Sequence, residues 1–236
     1  MRLQGLDIFR GYAIVLMVIF HFSFDLNNFH LVDFDLKHGD FWRYFRFLIV
    51  SMFVFLAGIS LFLAHKEKIN WSKVKKRVVL LAGASLLVSI GSYTQFPHSW
   101  IYFGILHFFL FASVAGLLFL RIPKISFLLG LAIIAGYNFH LIHMHWLFLL
   151  LREPLHLPIH YTEDLANIIP WFGVFLLGIT FAYYDLHTKL FQQKFFLKES
   201  RVNQTFAFLG KHSLLIYLIH QPILFAFFIG GLKLFS

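Results

Sequence analysis

Runs of apolar residues, several of them close to membrane-spanning length, alternate with short polar segments along the whole chain. About 20 apolar residues are enough for an α-helix to cross the hydrocarbon core of a bilayer. The pattern therefore predicts an all-α fold, a polytopic transmembrane helix bundle of about seven helices that forms a single domain over residues 1–236. The predicted spans are 10–29, 43–64, 77–95, 101–120, 124–142, 168–185 and 207–232.

A further apolar stretch, residues 144–151, is too short to cross a bilayer. It is followed by Arg152, Glu153 and Pro154, which favours an interfacial or re-entrant segment on the extracytoplasmic side. The alternative is an eighth helix, which would reverse the orientation of the last two spans.

The distribution of basic residues predicts the orientation. With a cytoplasmic N-terminus, most of the 20 Lys and Arg residues fall in cytoplasmic segments, and the loop 66–77 is the densest group. Cytoplasmic loops are enriched in Lys and Arg, so this orientation is favoured over its reverse. These short loops account for the net charge of +9, and we expect a lipid bilayer as the partner and no nucleic acid. The extracytoplasmic exceptions are Lys37, Arg43, Arg46, Arg152 and Lys233.

The composition excludes a soluble domain: 59% of the residues are hydrophobic, 13% are charged, and the mean hydropathy is +0.76. The chain has no cysteine, which excludes disulfides, thiolate nucleophiles and Cys-ligated metals. The available chemistry is that of His, carboxylates and hydroxyls. The first apolar stretch continues past Asp25 without a small-residue cleavage site, so we expect a retained helix and not a cleaved signal.

The first predicted helix carries ionisable residues at Arg10, His21 and Asp25. At about 100° per residue these three lie within about 60° of one another on a helix, with Ile14 and Met17 on the same stripe. Charged groups at bilayer depth are costly unless they face protein or water, so by default they mark a functional interior. The alternative is that His21 and Asp25 form an i,i+4 pair that only fastens this helix to a neighbour.

The residues from Arg10 to His21, in the setting Leu-Asp-x-x-Arg-Gly-x-Ala-Ile, resemble the R-x10-H motif of the acyltransferase 3 family of integral membrane acyltransferases. The longer string from Arg10 to Leu26 resembles bacterial relatives of the catalytic domain of heparan-α-glucosaminide N-acetyltransferase, within the same broad superfamily. Residues 103–107, 169–174 and 209–222 are similar to that group too. The matching stretches together span nearly the whole chain.

The resemblance implies an integral membrane acyltransferase with Arg10 and His21 as its functional pair. Acyl transfer needs a base for the proton of the acceptor, and donors or positive charge for the developing oxyanion. We expect His21 to act as base or transient acyl carrier, and Asp25 to orient it. Arg10, at the cytoplasmic end of the same stripe, is expected to hold an anionic part of the acyl donor.

Four other residues are secondary candidates. His107 and His220 are intramembrane histidines inside matching stretches, although a histidine hydrogen-bonded within the bundle explains either one equally well. Tyr217 precedes His220 by one helical turn and is either a donor or a packing residue. The heparan-type enzyme uses a histidine in the loop after its first helix, and His38 lies in a roughly corresponding place.

The donor implied by the resemblance is acyl-CoA, with acetyl-CoA first, and the acceptor is an extracytoplasmic sugar or glycan. Lys73, Lys75, Lys76 and Arg77 in the basic loop are candidates for binding the coenzyme A phosphates, besides setting the orientation. We expect the cell membrane as the location, and a homodimer as one possible assembly.

No metal site is expected. Five histidines gather in the extracytoplasmic segments, yet their spacing contains no HExxH pattern. Solvated or acceptor-facing histidines are therefore favoured over a zinc site. The five are His140, His143, His145, His156 and His160.

Two other functions are open on the sequence alone. Intramembrane Arg, His and Asp also build relays in proton- or solute-coupled transporters, although the chain shows no inverted repeat and no matching pair of broken helices. A b-type cytochrome would use His21, His107 and His220 as axial ligands, but no helix carries two of them.

Reporter fusions test the predicted orientation. Fusions within residues 66–76 and 188–204 should report the cytoplasm, and fusions within 31–41 and 152–166 the extracytoplasmic side, because Lys and Arg are retained inside. An extracytoplasmic signal from 188–204 would contradict seven spans and favour eight.

Overall fold

The computed structural model describes residues 3–36, 38–158, 162–198 and 200–235, without the side chains of residues 145 and 232–235. The described residues form eleven α-helices and one short 3-10 turn. They are α1 (Gln4–Asn28), α2 (Asp40–Ala64), α3 (Trp71–Gln95), α4 (Ile105–Ala115) with its 3-10 extension (Gly116–Phe119), α5 (Pro123–Asn138), α6 (His145–Arg152), α7 (Ile168–Tyr183), α8 (Leu186–Phe191), α9 (Lys194–Leu197), α10 (Arg201–Lys211) and α11 (Ser213–Phe235).

The predicted all-α membrane fold is confirmed. Helices α1, α2, α3 and α11 are long and apolar enough to cross a membrane, and the shorter apolar helices α4, α5 and α7 occupy the remaining predicted spans. The short apolar stretch 144–151 becomes α6, an eight-residue helix. That the three shorter helices also cross the bilayer, and that the N-terminus is cytoplasmic, remain predictions.

Three predicted spans end too late, because backbone conformation stops the helices earlier than hydropathy suggests. Helix α5 ends at Asn138 and not at 142, since His140 has a φ of 58°. Helix α7 ends at Tyr183 and not at 185, since Asp185 has a φ of 53°. Helix α1 ends at Asn28, and His30 has a φ of 57°. A left-handed residue just past the last turn is a common way to end a helix, although glycine usually occupies it.

The predicted last span, 207–232, is wrong at its start. Residues 201–211 form a separate helix, α10, which begins after Ser200, whose hydroxyl accepts a hydrogen bond from the backbone N–H of Asn203 at 3.1 Å. His212 leaves the helical conformation, and α11 begins at Ser213. Hydropathy misplaces this boundary because the last residues of α10 are as apolar as those of α11.

The chain folds as two compact units. One consists of residues 1–53 and 188–236, and the other of residues 54–187. In the first unit α1 packs against α9, α10 and α11. In the second, α3 packs against α4 and α5 packs against α7. The expectation of a single domain stays a prediction.

The core of the first unit forms on the stripe of α1 that the sequence singled out. Ile14 and Met17 are 1% and 4% exposed and cluster with the buried Ile49 of α2. Tyr217 of α11 packs against this cluster. The stripe thus faces protein, as intramembrane charge on the same face requires.

Helices α1 and α10 approach each other closely through glycine. A Cβ added to Gly210 would collide with the carbonyl oxygen of Asp7, and one added to Gly11 with that of Phe206. Beside this contact the rings of Tyr12 and Phe206 stack with centroids 3.9 Å apart. Small residues let helix backbones come this close, which is the usual basis of helix association in membranes.

The core of the second unit is aromatic. Phe108 of α4 and Phe175 of α7 are both fully buried, with ring centroids 6.5 Å apart in an edge-to-face arrangement. Phe172 stacks parallel to Phe175 at 6.0 Å. Aromatic pairs in these geometries stabilise a core beyond the area they bury.

Gly210→Ala should destabilise the protein, because its methyl group meets the backbone carbonyl of Asp7, which cannot move aside as a flexible side chain would. An overpacked contact of this kind costs about 1–3 kcal/mol. Gly83→Ala is the matched control: nothing lies within 4 Å of its added Cβ, and alanine is the better helix former. Thermal unfolding in detergent measures both, and equal stabilities would contradict the close packing of α1 and α10.

Candidate active site in the first unit

The first turns of α1 hold an ion pair. Arg10 donates from Nη1 to Oδ1 of Asp7 at 3.1 Å, and the two side chains are 24% and 8% exposed. Asp7 lies in the first turn, where a carboxylate is also stabilised by the helix dipole. The pair therefore holds the guanidinium of Arg10 near the N-terminal end of α1.

Further along α1, His21 meets a histidine from the other end of the chain. The imidazole rings of His21 and His220 contact edge to face, with centroids 4.8 Å apart. His21 is half-buried, whereas His220 is 8% exposed. Two candidates that the sequence placed in separate stretches thus come together in one site.

One turn after His21, Asp25 is fully buried. Its Oδ1 accepts a hydrogen bond from Nε2 of Gln221 at 2.8 Å, while Oδ2 has no hydrogen-bond partner among the residues that the structure describes. The expected pairing of Asp25 with His21 is therefore wrong. The carboxylate bonds across to α11, because Gln221 offers it an amide donor that a membrane interior otherwise lacks.

The remaining polar atoms of α11 are held locally. Nδ1 of His220 lies 2.7 Å from the backbone carbonyl oxygen of Tyr217, and the two rings are 5.7 Å apart between centroids. Nε2 of His220 and Oε1 of Gln221 are buried, and no described residue forms a hydrogen bond with either atom. Buried polar atoms are rarely left unpaired, and exceptions are often functional.

His107 lies in the second unit and caps α4. Its Nδ1 accepts from the backbone N–H of Gly104 at 3.2 Å, so the ring proton is on Nε2, which lies 3.1 Å from the hydroxyl oxygen of Ser89. Ser89 in turn donates to the carbonyl oxygen of Ile101 at 2.7 Å. Both ring nitrogens are occupied, as the alternative of a histidine bonded within the bundle requires.

His38 lies in the loop between α1 and α2 and is highly exposed. Its side chain is 87% exposed, its backbone N–H donates to Oδ1 of Asp35 at 2.9 Å, and its Nδ1 is 3.5 Å from the same oxygen. This is a local turn contact of a solvated residue.

The basic candidates at the start of α3 divide into two groups. Lys73, Lys75 and Lys76 are exposed, whereas Arg77 donates from Nε to the hydroxyl of the buried Ser113 at 2.8 Å. Burial lowers the pKa of nearby His65, and the charges of Arg77 and Lys73 lower it further. The positive charges at the start of α3 therefore disfavour protonation of the neighbouring His65.

A second buried histidine, His187, lies in the same unit. Burial lowers its pKa, and the adjacent Asp185 partly offsets this effect. Oδ1 of Asp185 accepts a hydrogen bond from Nζ of Lys66 at 3.0 Å, and the two charges form an ion pair. Lys66 of the basic loop 66–77 is thus paired with Asp185, an acidic residue that follows α7.

The described histidines of the extracytoplasmic group are exposed at positions 140, 143 and 156. The side chain of His145 and the whole of His160 lie outside the described residues. Among the side chains that the structure describes, no cluster of three His, Asp or Glu residues is placed to hold a metal ion.

Sequence reasoning missed Asp7 and Gln221. Asp7 stands three residues before Arg10, the spacing of an ion pair on one helix face, so this signal was available. Gln221 follows His220 directly, but its bond to Asp25 joins residues 196 apart in the chain. No local pattern reports a contact between such distant positions.

The first unit thus places two imidazoles, a carboxylate and an amide together where α1 meets α11 of a helical membrane protein, with Asp25 and His220 buried. Its chain belongs to the family described as heparan-alpha-glucosaminide N-acetyltransferase, catalytic, whose profile matches residues 2–222. The resemblance drawn from the motifs is confirmed, and with it membership in a family of membrane acetyltransferases. A search of curated proteins found no match, and neither did a search of solved structures.

Proposed function

We propose that this protein is an integral membrane acyltransferase, which moves an acetyl group from cytoplasmic acetyl-CoA to a hydroxyl or amine of an extracytoplasmic sugar or glycan. The observation that carries the proposal is the contact of His21 with His220, whose ring centroids are 4.8 Å apart. The chain that holds this contact belongs to an acetyltransferase family. Imidazole is the side chain best suited to move protons in such a transfer near neutral pH.

The site offers what the reaction requires. The acceptor must lose a proton as it attacks the thioester, and the carbonyl oxygen of the thioester gains negative charge. The two contacting imidazoles supply a proton acceptor and a hydrogen-bond donor side by side. Burial of His220 and Asp25 excludes bulk water, which strengthens these interactions.

Arg10 is the proposed contact for the acyl donor. It lies in the same unit as His21, about three turns nearer the start of α1, and Asp7 orients its guanidinium. A guanidinium offers five N–H donors in a planar fork that suits phosphate or carbonyl oxygens. The exposed Lys73, Lys75 and Lys76 are proposed to attract the phosphates of coenzyme A. Arg77, which is bonded to Ser113, adds a fourth positive charge to this group.

Membership in a transferase family favours acyl transfer over the transporter alternative. The cell membrane is the proposed location, because transfer across a bilayer requires acyl-CoA on one side and the glycan on the other. A homodimer remains a prediction.

His21→Ala should insert and fold normally but lower the transfer rate by at least about 10²-fold, the usual contribution of one catalytic proton donor or acceptor. His38→Ala is the matched control, since its side chain is 87% exposed and should be dispensable. Acetyl-CoA consumption by the purified protein with candidate sugars measures both. An active His21→Ala together with an inactive His38→Ala would place the site in the loop instead.

Arg10→Lys should weaken acetyl-CoA binding about tenfold or more, because lysine keeps the charge but loses the bidentate fork. Membrane insertion should be unchanged, since either cation satisfies the positive-inside rule. Donor titrations measure the effect, with acceptor titrations as the control, since Arg10 is proposed to contact only the donor. A donor affinity that Arg10→Lys leaves unchanged would make Arg10 a structural residue.

A further inference from the structure

The hydrogen bond of His220 to the backbone fixes which of its ring nitrogens carries the proton. Nδ1 lies 2.7 Å from the carbonyl oxygen of Tyr217. A carbonyl oxygen only accepts hydrogen bonds, so Nδ1 must be the donor, and neutral His220 is protonated there. Nε2 then carries a lone pair and is the basic nitrogen of the ring.

This basic nitrogen has no partner among the described residues. Nε2 of His220 is buried without a hydrogen-bond donor from that part of the chain, in a residue that is only 8% exposed. Leaving a buried acceptor unpaired costs stability, so such an atom calls for an explanation. An acceptor of this kind is satisfied when a ligand brings a hydroxyl or an amine to it.

Two neighbouring side chains also present acceptors that lack a donor. Oδ2 of Asp25 and Oε1 of Gln221 are buried without a partner in the described parts of the chain, and these two side chains are bonded to each other. All three unpaired atoms accept hydrogen bonds. A ligand that pairs with these atoms must therefore supply hydrogen-bond donors, as a sugar hydroxyl or amine does.

His21 lacks such a fixed tautomer. Its ring contacts the rings of Phe20 and His220, and within the described residues no hydrogen bond holds either of its ring nitrogens. A base must present its lone pair in a defined direction, and a backbone hydrogen bond to the opposite nitrogen provides that direction. The geometry favours His220 over His21 for this role.

We propose that His220 is the catalytic base of the transfer, which rests on the proposed function. Nε2 takes the proton of the acceptor hydroxyl or amine as its oxygen or nitrogen forms a bond to the thioester carbonyl carbon. The C–S bond breaks with its electron pair on sulfur, and the proton passes from Nε2 to the thiolate. The products are the acylated acceptor and free coenzyme A, and His21 is left to donate a hydrogen bond to the carbonyl oxygen.

His220→Asn separates the base from the structural bond. The amide nitrogen of asparagine occupies the place of Nδ1, so it keeps a donor for the Tyr217 carbonyl but has no basic nitrogen at the Nε2 position. The transfer kcat should fall by about 10²- to 10⁴-fold, with unchanged acetyl-CoA binding. His212→Asn is the matched control: it makes the same change between α10 and α11, outside the site, and should keep full activity.

Chemical rescue provides a second readout. Added imidazole should restore transfer to His220→Ala in a saturable way, since a free base replaces the lost one, and it should not raise the rate of His220→Asn to the same extent because the asparagine fills the space. Thermal unfolding and donor binding verify that each variant is folded, and His220→Ala with added imidazole provides the test if His220→Asn does not fold.

These experiments separate the role of His220 as the base from the proposed acetyl transfer itself. An active His220→Asn, or a His220→Ala that imidazole does not rescue at any concentration, would overturn His220 as the base while wild-type transfer upholds the proposed function. A folded wild-type protein that transfers acetyl to no hydroxyl or amine acceptor would overturn both.

Discussion

The candidate site depends on the hydrogen bond between Asp25 and Gln221. A carboxylate that is fully buried at membrane depth is tolerated only with a polar partner, and here the amide of Gln221 provides it at 2.8 Å. Because these residues lie 196 positions apart, their bond ties the beginning of the chain to its end. It fixes the register of α11 on α1, and that register brings His220 to His21.

The packing around this bond leaves little freedom. Gly11 and Gly210 bring α1 and α10 to backbone contact, and the core around Ile14 and Met17 holds Tyr217 of α11 in place. A site on rigid helices keeps its catalytic groups closer to productive geometry than a site on loops. The ion pair of Asp7 and Arg10 lies on α1 as well, so Arg10, the proposed donor contact, and His21 share one rigid helix.

Sequence periodicity predicted the fold class, the seven apolar helices and the inward face of α1, because these depend on local hydropathy and helical spacing. It did not predict that α5 and α7 end before His140 and Asp185, because these ends depend on backbone conformation. It also paired Asp25 with His21, one turn away on the same helix. The real partner is on α11, and a contact so distant in sequence is decided by packing that no local pattern contains.

The contact of His21 with His220 is the central claim, and the absence of cysteine makes it directly accessible to cross-linking. Cysteine is substituted for both His21 and His220, and a protease site is inserted in the exposed segment 140–143, so that cleavage separates the two cysteines. A short bifunctional thiol reagent is then applied to native membranes before cleavage. We predict that the two fragments remain joined after cleavage, and that a cysteine at the exposed Ile19 in place of position 21 gives no joined product. Separate fragments from the 21/220 pair, with joined fragments from 19/220, would contradict the α1–α11 register and the site built on it.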